Sequence, residues 1–172
     1  MNFKYFLVII ICSITIISCE KDDICSESTL TTPRLIITFK DVTDPEQSKA
    51  VESLGVYAIV NDEMILLDDV NGTTDSIAIP LNNNDEFSHF KFYKDFTNND
   101  IINGISNDIY INHNNSSVFI SRACGFANNY SITSFFNYNP NNDQSEASWV
   151  SEFEIVNSIV SNENQSHVKI LH

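Results

Sequence analysis

The sequence predicts an all-β fold, an antiparallel β-sandwich (immunoglobulin-like or related) built as a single domain. Three observations predict it. From Pro33 onward, short runs of aliphatic, β-branched and aromatic residues alternate with polar breaks. Within "FSHFKFY" the period is two, with Phe90 and Phe92 on one face and His89 and Lys91 on the other, as expected of a half-buried strand. The breaks are rich in asparagine, as in "NNN" at Asn82–Asn84 and "NPNND" at Asn139–Asp143. Asparagine suits turns because it tolerates left-handed backbone and hydrogen-bonds its own chain.

Ahead of the strands the chain reads "MNFKYFLVIIICSITIISCEKDDIC". Lys4 is the only charge before an apolar run, Phe6–Ile17, of twelve residues, whereas a bilayer span needs roughly 20. A cationic start and a short apolar core are the pattern of a secretory signal, here residues 1–18. The run ends in Ile16-Ile17-Ser18-Cys19, which resembles the lipobox of bacterial lipoproteins. That resemblance makes Cys19 the lipid-attachment residue and the first residue of the mature chain. An ordinary small-x-small cleavage site is missing, since Ile16 stands at −3. The following "EKDDI" is similar to the acidic sorting signal of some outer-membrane lipoproteins in Bacteroidetes-like bacteria, with Ile24 departing where another acid is often found. The periplasmic and cell-surface leaflets both stay open. Residues 19–33 are then a lipidated N-terminus with a short acidic tether, and 34–172 the sandwich.

Strands are expected at "RLIITF" (Arg34–Phe39), "GVYAIV" and "MILLDDV". Asn71-Gly72 then predicts a type I′ hairpin turn, because both positions of that turn want positive φ. "SIAIPL" is the return strand, and Pro80 near its end suggests an edge or a bulge. "FSHFKFY", "DIYINH", "SSVFIS" and "YSITSFFNY" continue the pattern, and "SHVKIL" closes it. "ASWVSEFEIVNSIV" shows helical spacing (Trp149, Phe153, Val156, Val160) and strand alternation at once; a strand over Glu152–Val156 is favoured. Eight to ten short strands separated by turn signals suit a sandwich or barrel.

Without residues 1–18, 154 residues remain, enough for one domain with a core. Eight basic residues face 23 acidic ones, a formal charge of −15. Such a surface repels phosphates, so nucleic acid is excluded as a partner and electrostatic docking on anionic headgroups is disfavoured. The partners expected are the membrane, through the N-terminal lipid, and an envelope protein. Two cysteines remain after Cys19, and in an exported chain the pair Cys25 and Cys124 reads as a disulfide. A nucleophilic Cys124, with Arg122 lowering its pKa, would need a nearby base, and no His stands close in sequence.

Four scattered glycines build no phosphate loop, and neither G-x-S-x-G nor H-E-x-x-H occurs. His89, His113, His167 and His172 lack zinc-site spacing and read as exposed strand or terminal residues. The acidic stretches Asp68–Asp75 and Asn139–Glu146 carry oxygen ligands of the kind Ca²⁺ uses, without EF-hand order, and read as soluble turns. No cofactor, metal or catalytic residue is expected. Glu152 and Glu154 share a strand face about 7 Å apart, which gives the alternative, a carboxylate-based hydrolase acting on carbohydrate. Trp149, the only Trp, reads as core.

"TPRLIITF", "FISRACGF", "WVSEFEIVN" and "SHVKIL" are similar to stretches in a family of small Bacteroidetes-type lipoproteins known as a domain of unknown function. The resemblance runs over nearly the whole mature chain. It implies a lipidated β domain and supports the disulfide, and it carries no activity. The function expected is therefore that of a lipid-anchored, non-enzymatic binding or accessory component at the outer membrane.

Overall fold

The computed structural model describes residues 24–26, 29, 31–98, 102–138 and 148–172. Among these the fold is all-β, with antiparallel sheets packed as a sandwich and eleven strands: β1 (Leu35–Lys40), β2 (Val51–Val60), β3 (Glu63–Leu66), β4 (Gly72–Thr74), β5 (Ser76–Ile79), β6 (Phe87–Asn98), β7 (Ile102–Ser121), β8 (Gly125–Tyr138), β9 (Glu152–Ile155), β10 (Ile159–Val160) and β11 (Val168–Leu171). No helix among the described residues is long and apolar enough to cross a membrane. The chain divides into two compact units: residues 32–117 with 128–172, and residues 1–31 with 118–127.

The larger unit holds the core. One sheet runs β5-β1-β11-β9; the other runs β10-β8-β7-β6-β2-β3, with β4 also paired to β2. Alternation places Leu35, Ile37 and Phe39 of β1 and Val168 and Ile170 of β11 inward; they meet Val56, Phe90, Phe92, Ile109 and Ile111 of the other sheet in one buried cluster. Burying such side chains contributes about 1.5–3 kcal/mol each. Trp149 belongs to this core, its ring 6.1 Å from Phe39 and its Nε1–H donating to the Phe92 carbonyl at 3.4 Å. One pair breaks the antiparallel rule: β1 and β11 run parallel, Ile37 opposite Val168. They come from distant parts of the chain, so the long crossover that a parallel pair needs is already present.

The expected strand at "ASWVSEFEIVNSIV" is β9, not a helix. "DIYINH" and "SSVFIS" are not separate strands: they fuse into the twenty-residue β7. Asn71-Gly72 does not make the expected hairpin. Asn71 is extended (φ −81°, ψ 145°), and its Oδ1 accepts the Val56 N–H at 3.1 Å. The two-residue turn is instead Asn61-Asp62, between β2 and β3, with φ of 52° and 64°. Asn and Asp adopt left-handed backbone more readily than other side-chain-bearing residues.

β6 and β7 shift register between Lys94 and Thr97, where Asp95 has φ 56°. Gly104 fits opposite this bulge with φ +121°, and a Cβ there would lie 2.5 Å from the Lys94 carbonyl oxygen. Gly104→Ala is therefore expected to destabilise the protein by about 1–3 kcal/mol, through positive φ and a backbone clash together. A urea midpoint equal to that of the unsubstituted chain would contradict this.

Candidate functional site

A groove of about 470 Å³ opens in the larger unit between the Asn61-Asp62 turn, the loop at Pro80–Asp85 and the start of β6. The apolar periodicity of β6 carries Ser88 inward in phase with Phe90 and Phe92, and Ser88 is 4% exposed. On β7, His113 continues the inward series Ile109, Ile111 and is 1% exposed. The two meet: Ser88 Oγ lies 2.9 Å from His113 Nε2, and His113 Nδ1 lies 2.8 Å from Asn115 Oδ1.

Proton positions follow from the partners. Asn115 Nδ2 donates to the carbonyls of Asn82, Asn83 and Asp85 at 3.4, 3.2 and 3.0 Å, so its Oδ1 is the acceptor and His113 carries its hydrogen on Nδ1. Ser88 Oγ accepts the Asn82 N–H at 2.9 Å and gives its own hydrogen to the bare Nε2. Burial pushes the His113 pKa down, so the ring stays neutral. The Tyr130 hydroxyl donates to Asn83 Oδ1. The groove's loop is thus pinned from beneath by a fully paired polar chain, which makes its shape rigid.

The groove's wall has acidic groups, Asp62 and Asp85, and no Lys or Arg. His89 also lines it, but its Nε2 is committed to Asp108 Oδ1 at 2.8 Å. Anionic ligands are therefore disfavoured, and neutral polar or cationic ones fit. Beside it, rings stack across the outer face of the sheet: His89 on Tyr110 at 4.2 Å and 14°, and Tyr110 on Phe136 at 5.4 Å and 13°. Rings stacked on one another use their faces internally, so this ladder stiffens the sheet and is a poor platform for a flat ligand.

Cys25 and Cys124 are joined, with an S–S distance of 2.09 Å and Cα atoms 4.9 Å apart. This bond removes Cys124 from consideration as a nucleophile. Where β7 turns into β8, Ser121 Oγ accepts the Cys124 N–H at 3.0 Å, and the rings of Phe119 on β7 and Phe126 on β8 meet edge to face at 5.3 Å.

Of the other residues singled out from sequence, Cys19 lies outside the described residues, as does the acidic stretch Asn139–Glu146. Within Asp68–Asp75, Asp68–Val70 form a 3-10 turn and Asp69 pairs with Arg34 at 3.4 Å. Among the described residues, no group of three or more His, Cys, Asp or Glu is placed to hold a metal ion. Glu152 and Glu154 are exposed on β9, a sheet edge, and neither lines the groove. The histidines correct the expectation of exposure: His113, His167 and His172 are buried. Two of these burials were legible, since His113 extends the alternation of Ile109 and Ile111, and His172 that of Val168 and Ile170. The Ser88–His113–Asn115 chain was not, because no sequence spacing reveals a cross-strand register.

DUF6452, a family of unknown function, matches residues 53–172. Nothing among the curated proteins and nothing among the solved structures matches the chain.

Proposed function

We propose, from the premise that the chain belongs to the DUF6452 family of unknown function, that it is a lipid-anchored, non-enzymatic binding component of the bacterial cell envelope. In this reading it is a lipoprotein of Bacteroidetes-like bacteria, moored to the outer membrane by acyl chains on Cys19. It offers the groove between the Asn61-Asp62 turn and the Pro80–Asp85 loop to a neutral or cationic polar group of an envelope partner. The observation that carries the binding reading is the pinned loop. Three backbone carbonyls held by the half-buried Asn115 amide fix the shape of a concave, cation-free surface before any ligand arrives. Two or three acyl chains, at about 0.8 kcal/mol per buried CH₂, suffice for stable anchoring where one chain does not.

The native protein extracted from membranes tests the anchor. Its mass is expected to begin at Cys19 with thioether-linked lipid, and Cys19→Ala is expected to yield an uncleaved chain that keeps residues 1–18 and carries no lipid mass. A mature chain starting elsewhere, or a Cys19→Ala chain still cut before residue 19, overturns the reading.

One observation favours a second reading. Ser88, His113 and Asn115 have the polarity of a nucleophile, a base and an orienting group. Against catalysis, Ser88 Oγ is buried and already accepts the Asn82 N–H, as a structural anchor does. A fluorophosphonate probe is therefore expected to leave Ser88 unlabelled. A stoichiometric adduct on Ser88, lost in Ser88→Ala, would establish a serine hydrolase instead.

A further inference from the structure

We infer that the hairpin tip where β7 turns into β8, residues Val118–Ala127, is a wedge that seats in the boundary between headgroups and acyl chains of the bilayer holding Cys19. The inference rests on the lipid-anchor reading and adds to it a second, non-covalent membrane contact.

Composition is the first support. "VFISRACGFA" contains no acidic residue and one cation, Arg122, in a chain of formal charge −14. The acidic surface as a whole avoids anionic headgroups, and this turn is where that repulsion is missing.

Exposure is the second. Phe126 is 69% exposed, Phe119 58% and Val118 38%, and Ile24, beside the disulfide, is 82% exposed. The two phenyl rings, one on the end of β7 and one on the start of β8, touch edge to face and form one apolar body at the hairpin tip. Arg122 is exposed in the same turn. An aromatic tip with one long cationic side chain is the composition that partitions into an interface, rings toward the acyl chains and guanidinium toward the phosphates.

Reach is the third. The disulfide holds the Cα atoms of Cys25 and Cys124 4.9 Å apart. Only Glu20–Ile24 separate Cys25 from the lipidated residue, a fully extended span of about 20 Å. The turn therefore stays close to the point where the acyl chains enter the bilayer. The covalent anchor supplies a high local concentration of membrane, so even a shallow wedge of two rings is occupied. Insertion of about 5–10 Å is the depth expected.

The experiment uses the full acylated chain in phosphatidylcholine vesicles, with either ordinary or brominated acyl chains. Phe126→Trp places a reporter on the tip by a conservative change. Trp149, 7% exposed in the core, supplies the background recorded from the unsubstituted chain. Brominated lipid is expected to cut the added emission at least twofold and leave the background unchanged, and Phe119→Trp is expected to behave alike. An intact mass two hydrogens below the dithiol shows that each variant has kept its disulfide. An acylated, vesicle-bound chain whose added tryptophan is quenched by neither lipid overturns the wedge and leaves the anchor standing. A chain with no acyl mass overturns both. Protection of the added tryptophan only after an envelope protein is supplied assigns the turn to a protein partner and likewise overturns the wedge.

Discussion

Replacing Cys25 and Cys124 together by serine will lower the free energy of unfolding by up to about 4–5 kcal/mol, the largest effect expected of any small change to this protein. The bond joins residues 99 positions apart, and closing so long a loop removes conformations chiefly from the unfolded chain. Among the described residues of the smaller unit's N-terminal part, Ile24, Cys25, Ser26 and Thr31 are all exposed. The effect will therefore appear twice. The urea midpoint will fall, and protease will cut the segment ahead of Thr32 under conditions that leave the larger unit intact. Both changes should also follow addition of a thiol reductant to the unsubstituted chain. An unchanged midpoint and an uncut segment would show that the linkage adds nothing to stability.

The second large effect is acid destabilisation beginning near neutrality. His113, His167 and His172 are 1%, 0% and 8% exposed, and burial lowers the pKa of each. For His113 the Asn115 hydrogen bond and the Glu86 charge oppose the shift, and for His167 the Glu163 charge does. For His172 the bond to the Lys49 carbonyl and Asp41 oppose it, while the Lys49 and Lys94 charges reinforce it. Geometry agrees for His167, whose Nδ1 accepts the Ile36 N–H at 3.0 Å and cannot take a proton without breaking that bond. In the unfolded chain each ring protonates near pH 6.5. Above that value both states are neutral and stability is complete. As the pH falls below it, the unfolded state binds protons that the native state refuses, at about 1.4 kcal/mol per pH unit for each proton of difference. Three histidines set a ceiling of about 4 kcal/mol per unit. The carboxylates act lower. Hydrogen bonds from the Thr43 hydroxyl and N–H hold Asp41 at about 2, and the Arg34 bond holds Glu163 below its ordinary 4.5. Their loss comes only beneath the histidine window. Urea midpoints at pH 7.5 and 5.5 should therefore differ clearly, and His172→Gln should shrink the difference by about a third. Equal midpoints would mean that the rings are hydrated or already charged in the native state.

What the sequence displayed and what it hid divide along a physical line. Local alternation is written in the order of residues, so Leu35, Ile37 and Phe39, or Phe90 and Phe92, could be assigned to a buried face directly. A turn's tolerance of positive φ is local too, but it is shared by several residue types. Asn71-Gly72 carried the stronger signal, yet Asn61-Asp62 makes the turn, because the pairing of β2 with β3 settles which candidate is used. The groove's support was hidden for a different reason. Ser88 and Asn115 are 27 positions apart and meet through His113 only because β6 and β7 align Ser88 with Ile111. The asparagines that looked like interruptions of a strand, Asn114 and Asn115, sit inside β7, and Asn115 spends its amide on a neighbouring loop.

The parallel pairing of β1 with β11 bears on the order of events during biosynthesis. Leu35–Lys40 emerge early from a ribosome or a translocation pore, and their inner neighbour in the sheet is Val168–Leu171, made about 130 residues later. Until those late residues appear, β1 has β5 on one flank and nothing on the other, so the four-stranded layer stays open and its apolar face stays wet. A chain threaded N-terminus first is thereby kept from closing prematurely, and its maturation waits on a slow, long-range step. The topology itself acts as a timer that holds the polypeptide pliable until its last strand has been made.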